Sequence, residues 1–252
     1  MSSMDINEVY SFVNENITIF HESRIKKIKE LTFKNLIQKN PYLFRAKNVI
    51  TAGELIESEL SAFISSSEEK MFGDFLESLA YFVSIKTHGG HKSTAEGLDL
   101  EFESDGFYYV ISIKSGTNWG NSSQHKQLEA SFKKASTRLQ QSHIRTNPRL
   151  VLGICYGKTK TASMNGYIKM VGQNFWTLIS GDKEFYKNII EPIGYHAKEH
   201  NESFLVERAN TVNRLTKEFL DTFCDPESGE IRWKDFVAYN SGNYDLDKFF
   251  NH

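Results

Sequence analysis

The sequence predicts an α/β (α+β) fold in which helices surround a small set of strands. Apolar residues recur at helical spacing from Val9 towards the middle of the chain; the spacing becomes alternating from Leu98 to Glu103, and the run from Phe107 to Lys114 returns as a second strand after a turn. The spacing is helical again from Ser123 to about Gln141, and a short apolar run from Leu150 to Tyr156 follows. A period near 3.6 indicates a helix and a period of 2 indicates a strand. The predicted order here is therefore helix, strand, strand, helix, strand.

The N-terminal part of the chain is predicted to be helical. One helix occupies the first forty residues and ends at Asn40-Pro41, and a second is expected from Ala52 to about Ile64. The segment from Ser65 to Glu69 then has the Ser-x-x-Glu spacing of a capping box, which predicts the start of a third helix. We therefore expect a helical N-terminal region at residues 1–64 and a second domain at 65–252.

The C-terminal part is also expected to be largely helical. The segment from Phe175 to Ser180 is predicted to be buried, and Ser203 to Phe223 has helical spacing. A last amphipathic piece runs from Trp233 to Val237. The second domain should therefore end in a helical extension.

The composition is that of an ordinary folded protein rather than a disordered one, with 39% hydrophobic and 25% charged residues. No run approaches the roughly 18 apolar residues of a membrane span, and Met1 to Glu15 lacks the features of a signal peptide. We expect an intracellular, cytoplasmic protein without a membrane partner. Its two cysteines, Cys155 and Cys224, cannot build a disulfide scaffold and are predicted to be reduced.

Positive charge is concentrated in the middle of the chain. Between Phe107 and Gln173 the only acid is Glu129. The basic residues there are Lys114, Lys126, Lys133, Lys134, Arg138, Arg145, Arg149, Lys158, Lys160 and Lys169. Ten positive charges and one negative charge leave +9, so the rest of the chain carries −11 of the total of −2. This asymmetry favours a surface that contacts a phosphate backbone.

A two-residue hairpin loop is predicted at Asp105-Gly106. In that register the numbers of facing residues sum to 211, so that Asp99 faces Ser112 at about 5 Å between Cβ atoms and Lys114 lies diagonally beside them at about 7 Å. These three polar side chains share one surface. The apolar residues expected on the opposite surface are Leu98, Leu100, Ile111 and Ile113.

Asp99 and Lys114 suit the hydrolysis of a phosphodiester. A hard cation prefers carboxylate and carbonyl oxygens and lowers the pKa of a bound water, and Asp99 can supply such a ligand. A lysine in reach of that water can orient it and stabilise developing negative charge, which is the role predicted for Lys114. Spacing alone also fits an ordinary exposed hairpin.

Longer motifs carry a family resemblance. Glu77 on a helix, Gly97-Leu98-Asp99 at a strand start and Ile111-Ser112-Ile113-Lys114 at a strand end resemble the successive motifs of PD-(D/E)xK nucleases. Residues from about 40 to 242 are similar to a PmeII-like family of type II restriction endonucleases. The segments that carry this likeness are Asn40–Asn48, Ser65–Glu69 with Phe72-Gly73, and Lys114–Gln124.

The resemblance implies a restriction-endonuclease-like mixed β-sheet flanked by helices. It also implies a homodimer that cleaves double-stranded DNA at a short specific site, depends on Mg²⁺ and is paired with a DNA methyltransferase in restriction-modification. Residues 1–64 would then serve dimerisation or act as a DNA clamp, and residues 65–252 would be the catalytic domain.

Ser112 departs from the family pattern, which usually has an acid two residues before the lysine. Three carboxylates are candidates to replace it. Glu77 ranks first because Gly73, one turn earlier, would let its helix approach the sheet; Glu129 ranks second, and Glu101 is expected to be exposed. By resemblance, the backbone carbonyl of Ile113 is a further metal ligand.

DNA contacts are expected mainly from the loop after Lys114 and from the helix that follows it. Amide and hydroxyl groups can bind phosphates, and Asn and Gln can also read adenine edges. The predicted contacts are Asn118, Trp119, Asn121, Ser122, Ser123, Gln124 and Lys126, with Arg45, Lys47, His91 and Lys92 from elsewhere. For Trp119 a packing role that closes the turn is the alternative.

Two other functions fit the same residues. One is a PD-(D/E)xK nuclease of repair or junction resolution, which would not cut a plain duplex at one short sequence. The other is a DNA-binding protein that has lost catalysis, as the missing acid at Ser112 would suggest. Asp99 and Lys114 argue against that second alternative.

Overall fold

The computed structural model describes residues 5–141 and 148–242, so that Arg145 of the basic segment lies outside the described residues. The chain divides into two compact units. Unit 1 comprises Met1–Phe20 and Lys70–Ala197, and unit 2 comprises His21–Glu69 and Lys198–His252. The region 1–64 that was predicted from the sequence therefore contributes residues to both units.

Helices account for most of the described chain. In chain order they are α1 (Ile6–Lys29), α2 (Phe33–Leu36), α3 (Pro41–Ala46), α4 (Ala52–His88), α5 (Ser122–Gln141), α6 (Gln173–Ser180), α7 (Phe185–Asn188), α8 (Ile190–Ile193), α9 (Ala197–Phe223) and α10 (Trp233–Tyr239). Among the residues described, none of these helices is both long and apolar enough to cross a bilayer.

Unit 1 contains a mixed β-sheet, in which six strands are seen within the described ranges. They are β1 (His91–Lys92), β2 (Leu100–Ser104), β3 (Phe107–Lys114), β4 (Arg149–Ile154), β5 (Ala162–Ser163) and β6 (Ile168–Val171). Their spatial order is β1-β2-β3-β4-β6-β5. The pairs β3·β4 and β4·β6 are parallel and the other pairs are antiparallel. The α/β prediction is therefore confirmed, with the central parallel strands β3 and β4 joined by α5.

The predicted hairpin is confirmed in its register. Ser104 pairs with Phe107 and Leu100 pairs with Ile111 across β2 and β3. The loop residues Asp105 and Gly106 have φ angles of 50° and 76°. Two successive positive φ angles are typical of the turns that match the twist of a hairpin, and an Asp-Gly pair adopts them readily.

Two predicted helix boundaries are wrong. The helix expected over the first forty residues ends at Lys29, and α4 runs without interruption through Ser65 to Glu69. The Ser-x-x-Glu pattern does not form a capping box there. Instead, the Glu68 carboxylate accepts a hydrogen bond of 2.6 Å from Nε of Arg24, within unit 2. Ile64 is also buried in the core of that unit, so packing and the ion pair keep this segment helical.

The sheet of unit 1 buries a different core on each face. Leu100, Ile111 and Ile113 pack against apolar residues of α4 and α6. On the other face, Val110 packs against α5. Leu98 was expected to lie with Leu100, and that expectation is wrong because Leu98 joins the α5 core. Leu98 lies before the first residue of β2, in a segment that does not yet have the alternating geometry of a strand.

Unit 2 has an apolar core of its own. Phenylalanines from α3, α9 and α10 contribute to it, and Phe219 lies 5.4 Å from Phe236 between ring centroids. The core residue Cys224 is a free buried thiol, as is Cys155 in unit 1, which confirms the prediction of two reduced cysteines.

Candidate active site

Asp99 is held at the start of β2 by groups of the neighbouring strand. Its Oδ2 accepts a hydrogen bond of 2.6 Å from the backbone N–H of Ile113 and one of 3.2 Å from Oγ of Ser112. The backbone N–H of Asp99 donates to the carbonyl of Ile111 at 2.9 Å. Asp99 therefore faces Ser112, in the register that the hairpin predicts.

Lys114 ends β3, and its half-buried side chain lies at the carboxyl edge of the parallel strands β3 and β4. Its backbone carbonyl accepts a hydrogen bond of 2.9 Å from the N–H of Cys155. Its Nζ lies 5.7 Å from the centroid of the Trp119 ring. The lysine therefore has a fixed backbone and one aromatic neighbour.

Glu77 reaches the same place from α4. Glu77 is exposed at the surface of α4, but the protein around its carboxyl partly desolvates it and so raises its pKa above the ordinary value; the nearby charge of Asp99 raises the pKa further, and Lys114 acts in the opposite direction. The charges of Asp99 and Lys114 therefore both act on the Glu77 carboxyl. A Cβ placed on Gly73 would lie 3.3 Å from Oγ of Ser115, so the helix approaches the end of β3 closely, as the sequence predicted.

The donors present suit a hard divalent cation. Glu77 and Asp99 are close enough for the charge of one to raise the pKa of the other, and a cation would replace the proton that this repulsion favours. Ile113, whose N–H binds Asp99, brings a peptide group to the same point. Among the described residues, no cluster of three or more His, Cys, Asp and Glu side chains occurs. Asp99 and Glu77 are therefore the two carboxylates predicted from the sequence that could hold such a cation.

Asp74 was not singled out from the sequence, although its charge also raises the pKa of Glu77. It stands on α4 three residues before Glu77, and residues at this spacing are neighbours on a helix surface. That spacing is the signal that could have found it. Lys92, from β1, acts in the opposite direction on Glu77.

Glu129 lies on α5 beside Tyr167. The pKa of the Tyr167 phenol is raised by burial first and then by the charge of Glu129. Glu129 also lines a cavity with Lys126 and Lys133. The pKa of Glu77 is shifted first by burial and then by the charges of Asp99 and Lys114, whereas the charge of Glu129 acts on Tyr167.

Glu101 is buried rather than exposed, with 2% of its surface accessible, so that expectation was wrong. Its carboxylate accepts hydrogen bonds from Oγ of Ser93 and the hydroxyl of Tyr108, both at 2.6 Å, and from Arg138 at 3.1 Å. Burial alone would raise the pKa of this carboxyl, but the three donors outweigh it and lower the pKa overall. Arg138 comes from α5 and forms an ion pair with this carboxylate, and that ion pair offsets the cost of burying a charge.

The loop after Lys114 is organised around the start of α5. Oδ1 of Asn121 accepts hydrogen bonds from the backbone N–H groups of Ser123 and Gln124, at 3.0 and 3.1 Å. Oε1 of Gln124 in turn accepts from the N–H of Asn121 at 2.9 Å. This is a reciprocal capping box, which the Asn-x-x-Gln spacing could have signalled. Ser122 begins the helix, and Asn118 is exposed in the loop before it.

The other predicted DNA contacts fall in both units. Lys126 is exposed on α5 in unit 1. His91 and Lys92 form β1, where Lys92 pairs with Leu100, the residue after Asp99. Arg45 and Lys47 belong to unit 2, and the Arg45 guanidinium lies 5.7 Å from the Trp233 ring centroid.

Comparison with known proteins gives one family. The model of the type II restriction endonuclease EcoO109I matches residues 7–201, which is most of the chain. No curated protein matches the sequence. The chain therefore belongs to the type II restriction endonuclease EcoO109I family, and its mixed sheet flanked by helices is the restriction-endonuclease-like fold expected from the sequence.

Proposed function

We propose that this restriction endonuclease hydrolyses double-stranded DNA at a short specific site, with Glu77, Asp99 and Lys114 as its catalytic residues. The proposal is carried by the hydrogen bonds that hold Asp99 against the end of β3, where Lys114 follows, and is supported by the effect of both charges on the pKa of Glu77. Two carboxylates beside a lysine, at the end of a strand, form the arrangement that the PD-(D/E)xK and PmeII-like motifs suggest.

Mg²⁺ is the proposed cofactor, held by Asp99, Glu77 and the carbonyl of Ile113. When bound, it would supply Lewis-acid stabilisation of the phosphoryl oxygens and lower the pKa of a water molecule. Both hydrogen bonds described for the Asp99 carboxylate go to Oδ2, within the part of the chain that the structure describes. They orient the group so that Oδ1 is available as a ligand.

Lys114 is proposed to act on the water and on the scissile phosphate. An ammonium group has three donors and a full positive charge, so it can orient a water oxygen and stabilise the charge that develops on phosphate oxygens. Its backbone is fixed by the hydrogen bond from Cys155. The side chain therefore starts from a defined point beside Asp99.

Ser112 is proposed to support Asp99 rather than to ligate metal itself. Its hydroxyl donates to Oδ2 of Asp99 at 3.2 Å, and it is buried. The second carboxylate is then supplied by Glu77 from α4. Glu129 remains the alternative source, and its position beside Tyr167 favours Glu77.

The wider assembly is proposed on the resemblance and on charge. We propose a cytoplasmic homodimer that works with a DNA methyltransferase, in which residues 65–252 are catalytic and residues 1–64 serve dimerisation or clamp the DNA. The proposed DNA contacts are Asn118, Asn121, Ser122, Ser123, Gln124, Lys126, Arg45, Lys47, His91 and Lys92, whereas Trp119, half-buried against the core beneath α5, is proposed to pack rather than to bind DNA. Exposed Lys126 and the basic segment around it support contact with phosphates.

Digestion of a sequenced plasmid tests the proposal. With Mg²⁺ the wild type should give discrete fragments whose mapped ends share one short sequence and carry 5′ phosphates. Asp99→Ala and Glu77→Ala should leave the plasmid intact, whereas Glu129→Ala should cut at the same sites. An intact plasmid with wild-type protein and Mg²⁺ would favour a lapsed DNA-binding protein, and cleavage of branched DNA alone would favour a junction nuclease.

A further inference from the structure

Trp119 is the aromatic neighbour of Lys114. The lysine Nζ lies 5.7 Å from the centroid of the indole ring. A cation within about 6 Å of an aromatic face is attracted by the negative face of the π system, and tryptophan gives the strongest such attraction. The ammonium of Lys114 therefore has a favoured position over this ring.

The ring itself is held from several sides. Its centroid lies 4.3 Å from that of the His125 ring, on the first turn of α5. It also packs, half-buried, against the apolar core beneath α5. Gly120 follows, and a Cβ there would lie 3.3 Å from Cβ of Gln124, so the loop and the helix start are in close contact. The capping box between Asn121 and Gln124 then fixes the loop to the helix.

We infer that Trp119 is a positioning residue for Lys114, and that it does not act as a base-reading DNA contact. This inference rests on the proposed function, because it assigns a partner to the proposed catalytic lysine. A lysine has four rotatable side-chain bonds, and a fixed aromatic face restricts where its ammonium group dwells. The ring thereby keeps the ammonium at the active site before DNA arrives.

Two substitutions separate the π face from simple apolar packing. Trp119→Phe keeps an aromatic face, whereas Trp119→Leu keeps an apolar side chain without one. In single-turnover cleavage with Mg²⁺, Trp119→Leu should be about 3- to 30-fold slower than wild type, and Trp119→Phe should retain most of the rate. The DNA dissociation constant, measured without divalent metal, should stay within about twofold of wild type for both variants. Equal rates for Phe and Leu, or a weakened DNA affinity in both, would overturn the inference.

Tryptophan emission gives a readout that is independent of cleavage. Lys114→Met should change the tryptophan emission spectrum of the otherwise wild-type protein, because it removes the positive charge that lies over the indole ring of Trp119. The same replacement in a Trp119→Phe background should produce no change, although Trp176 and Trp233 are still present. Emission that does not respond to Lys114→Met in either background would overturn the contact between the two residues.

Cleavage by Lys114→Met separates this inference from the proposed function. If that variant cuts DNA at the wild-type rate, the catalytic role of Lys114 fails and the inference fails with it. If Lys114→Met is inactive but Trp119→Leu cuts at the wild-type rate, only the positioning role of Trp119 fails. Circular dichroism of each variant verifies that the comparison is between folded proteins.

Discussion

The backbone N–H of Ile113 donates a hydrogen bond of 2.6 Å to Oδ2 of Asp99. This bond joins the start of β2 to the end of β3, where Ser112 adds a second donor to the same oxygen. A carboxylate that accepts a backbone N–H has its orientation set by the strand pairing itself. The candidate active site therefore depends on the hairpin register.

Asp99→Asn should separate charge from shape at this position. The amide oxygen can still accept from Ile113, so the free energy of unfolding should change by less than about 1 kcal/mol. Cleavage should fall by about 10³-fold or more, since a neutral amide is a poor ligand for a hard cation and several kcal/mol of transition-state stabilisation would be lost. Urea denaturation and plasmid cleavage measure the two effects. Cleavage within tenfold of wild type would contradict the role of Asp99.

Glu77→Gln should stabilise the metal-free protein at neutral pH. Burial, followed by the charge of Asp99, raises the pKa of Glu77 above its ordinary value of 4.5. The folded state therefore binds a proton more readily than the unfolded state, and stability falls as the pH rises from 4.5 through the raised pKa. Glu77→Gln has no carboxyl to ionise in the folded state. Its Tm should therefore exceed that of wild type at pH 7, and the two Tm values should approach each other near pH 4.5.

Mg²⁺ should act against that difference in Tm, because it stabilises the wild type more. A ligand that binds only the folded state raises its Tm, and Glu77→Gln removes a proposed ligand group. Thermal melts should therefore show a larger Mg²⁺-induced rise for wild type than for Glu77→Gln, with Glu129→Gln as the matched control that behaves like wild type. Equal rises in wild type and Glu77→Gln would remove Glu77 from the metal site.

Glu101→Ala should destabilise the protein by about 2–3 kcal/mol. It would remove the charged acceptor that Arg138, Ser93 and Tyr108 share, and the loss of charge-assisted hydrogen bonds at a part-buried site is costly. Arg138 is 39% exposed and can turn to water, which keeps the loss below that of a fully buried ion pair. Urea denaturation measures it. Glu96→Ala, an exposed acid on the preceding loop, should have almost no effect.

The same carboxylate predicts sensitivity to acid. Burial alone would raise the pKa of Glu101, but its three donors lower it below the ordinary value of 4.5. A lowered pKa contributes stability that is present above pH 4.5 and is lost as the pH falls through the folded pKa. The wild type should thus lose more stability than Glu101→Ala between pH 5 and pH 3. Parallel losses in the two proteins would show that Glu101 does not titrate as described.

Asn121→Ala should cost about 1 kcal/mol of stability, because it removes the acceptor that caps the first turn of α5. Asn121→Asp keeps that acceptor and should stay near wild type. Asn118→Ala, exposed in the same loop, is the control and should change stability little. A stability loss for Asn118→Ala as large as that for Asn121→Ala would mean that the capping box is not what holds the loop.

Sequence reasoning succeeded where an interaction is local. Asp105-Gly106 and the alternation around it predicted the β2·β3 register, because a two-residue turn permits only one register between the two strands that it joins. It failed at Ser65 to Glu69, where the pattern of a capping box was overridden by the ion pair between Glu68 and Arg24. A local signal worth about 1 kcal/mol does not end a helix that tertiary contacts sustain.

The amino-acid order alone was sufficient to put Asp99 opposite Ser112 and one diagonal step from Lys114, because all three lie within sixteen residues of one hairpin. Only the folded chain decided that the charges of Asp99 and Lys114 act on Glu77 and that Arg138 binds the buried Glu101. Both outcomes depend on how α4 and α5 pack on opposite faces of the sheet. Such packing is set by side chains far apart in sequence, and no periodicity within one element encodes it.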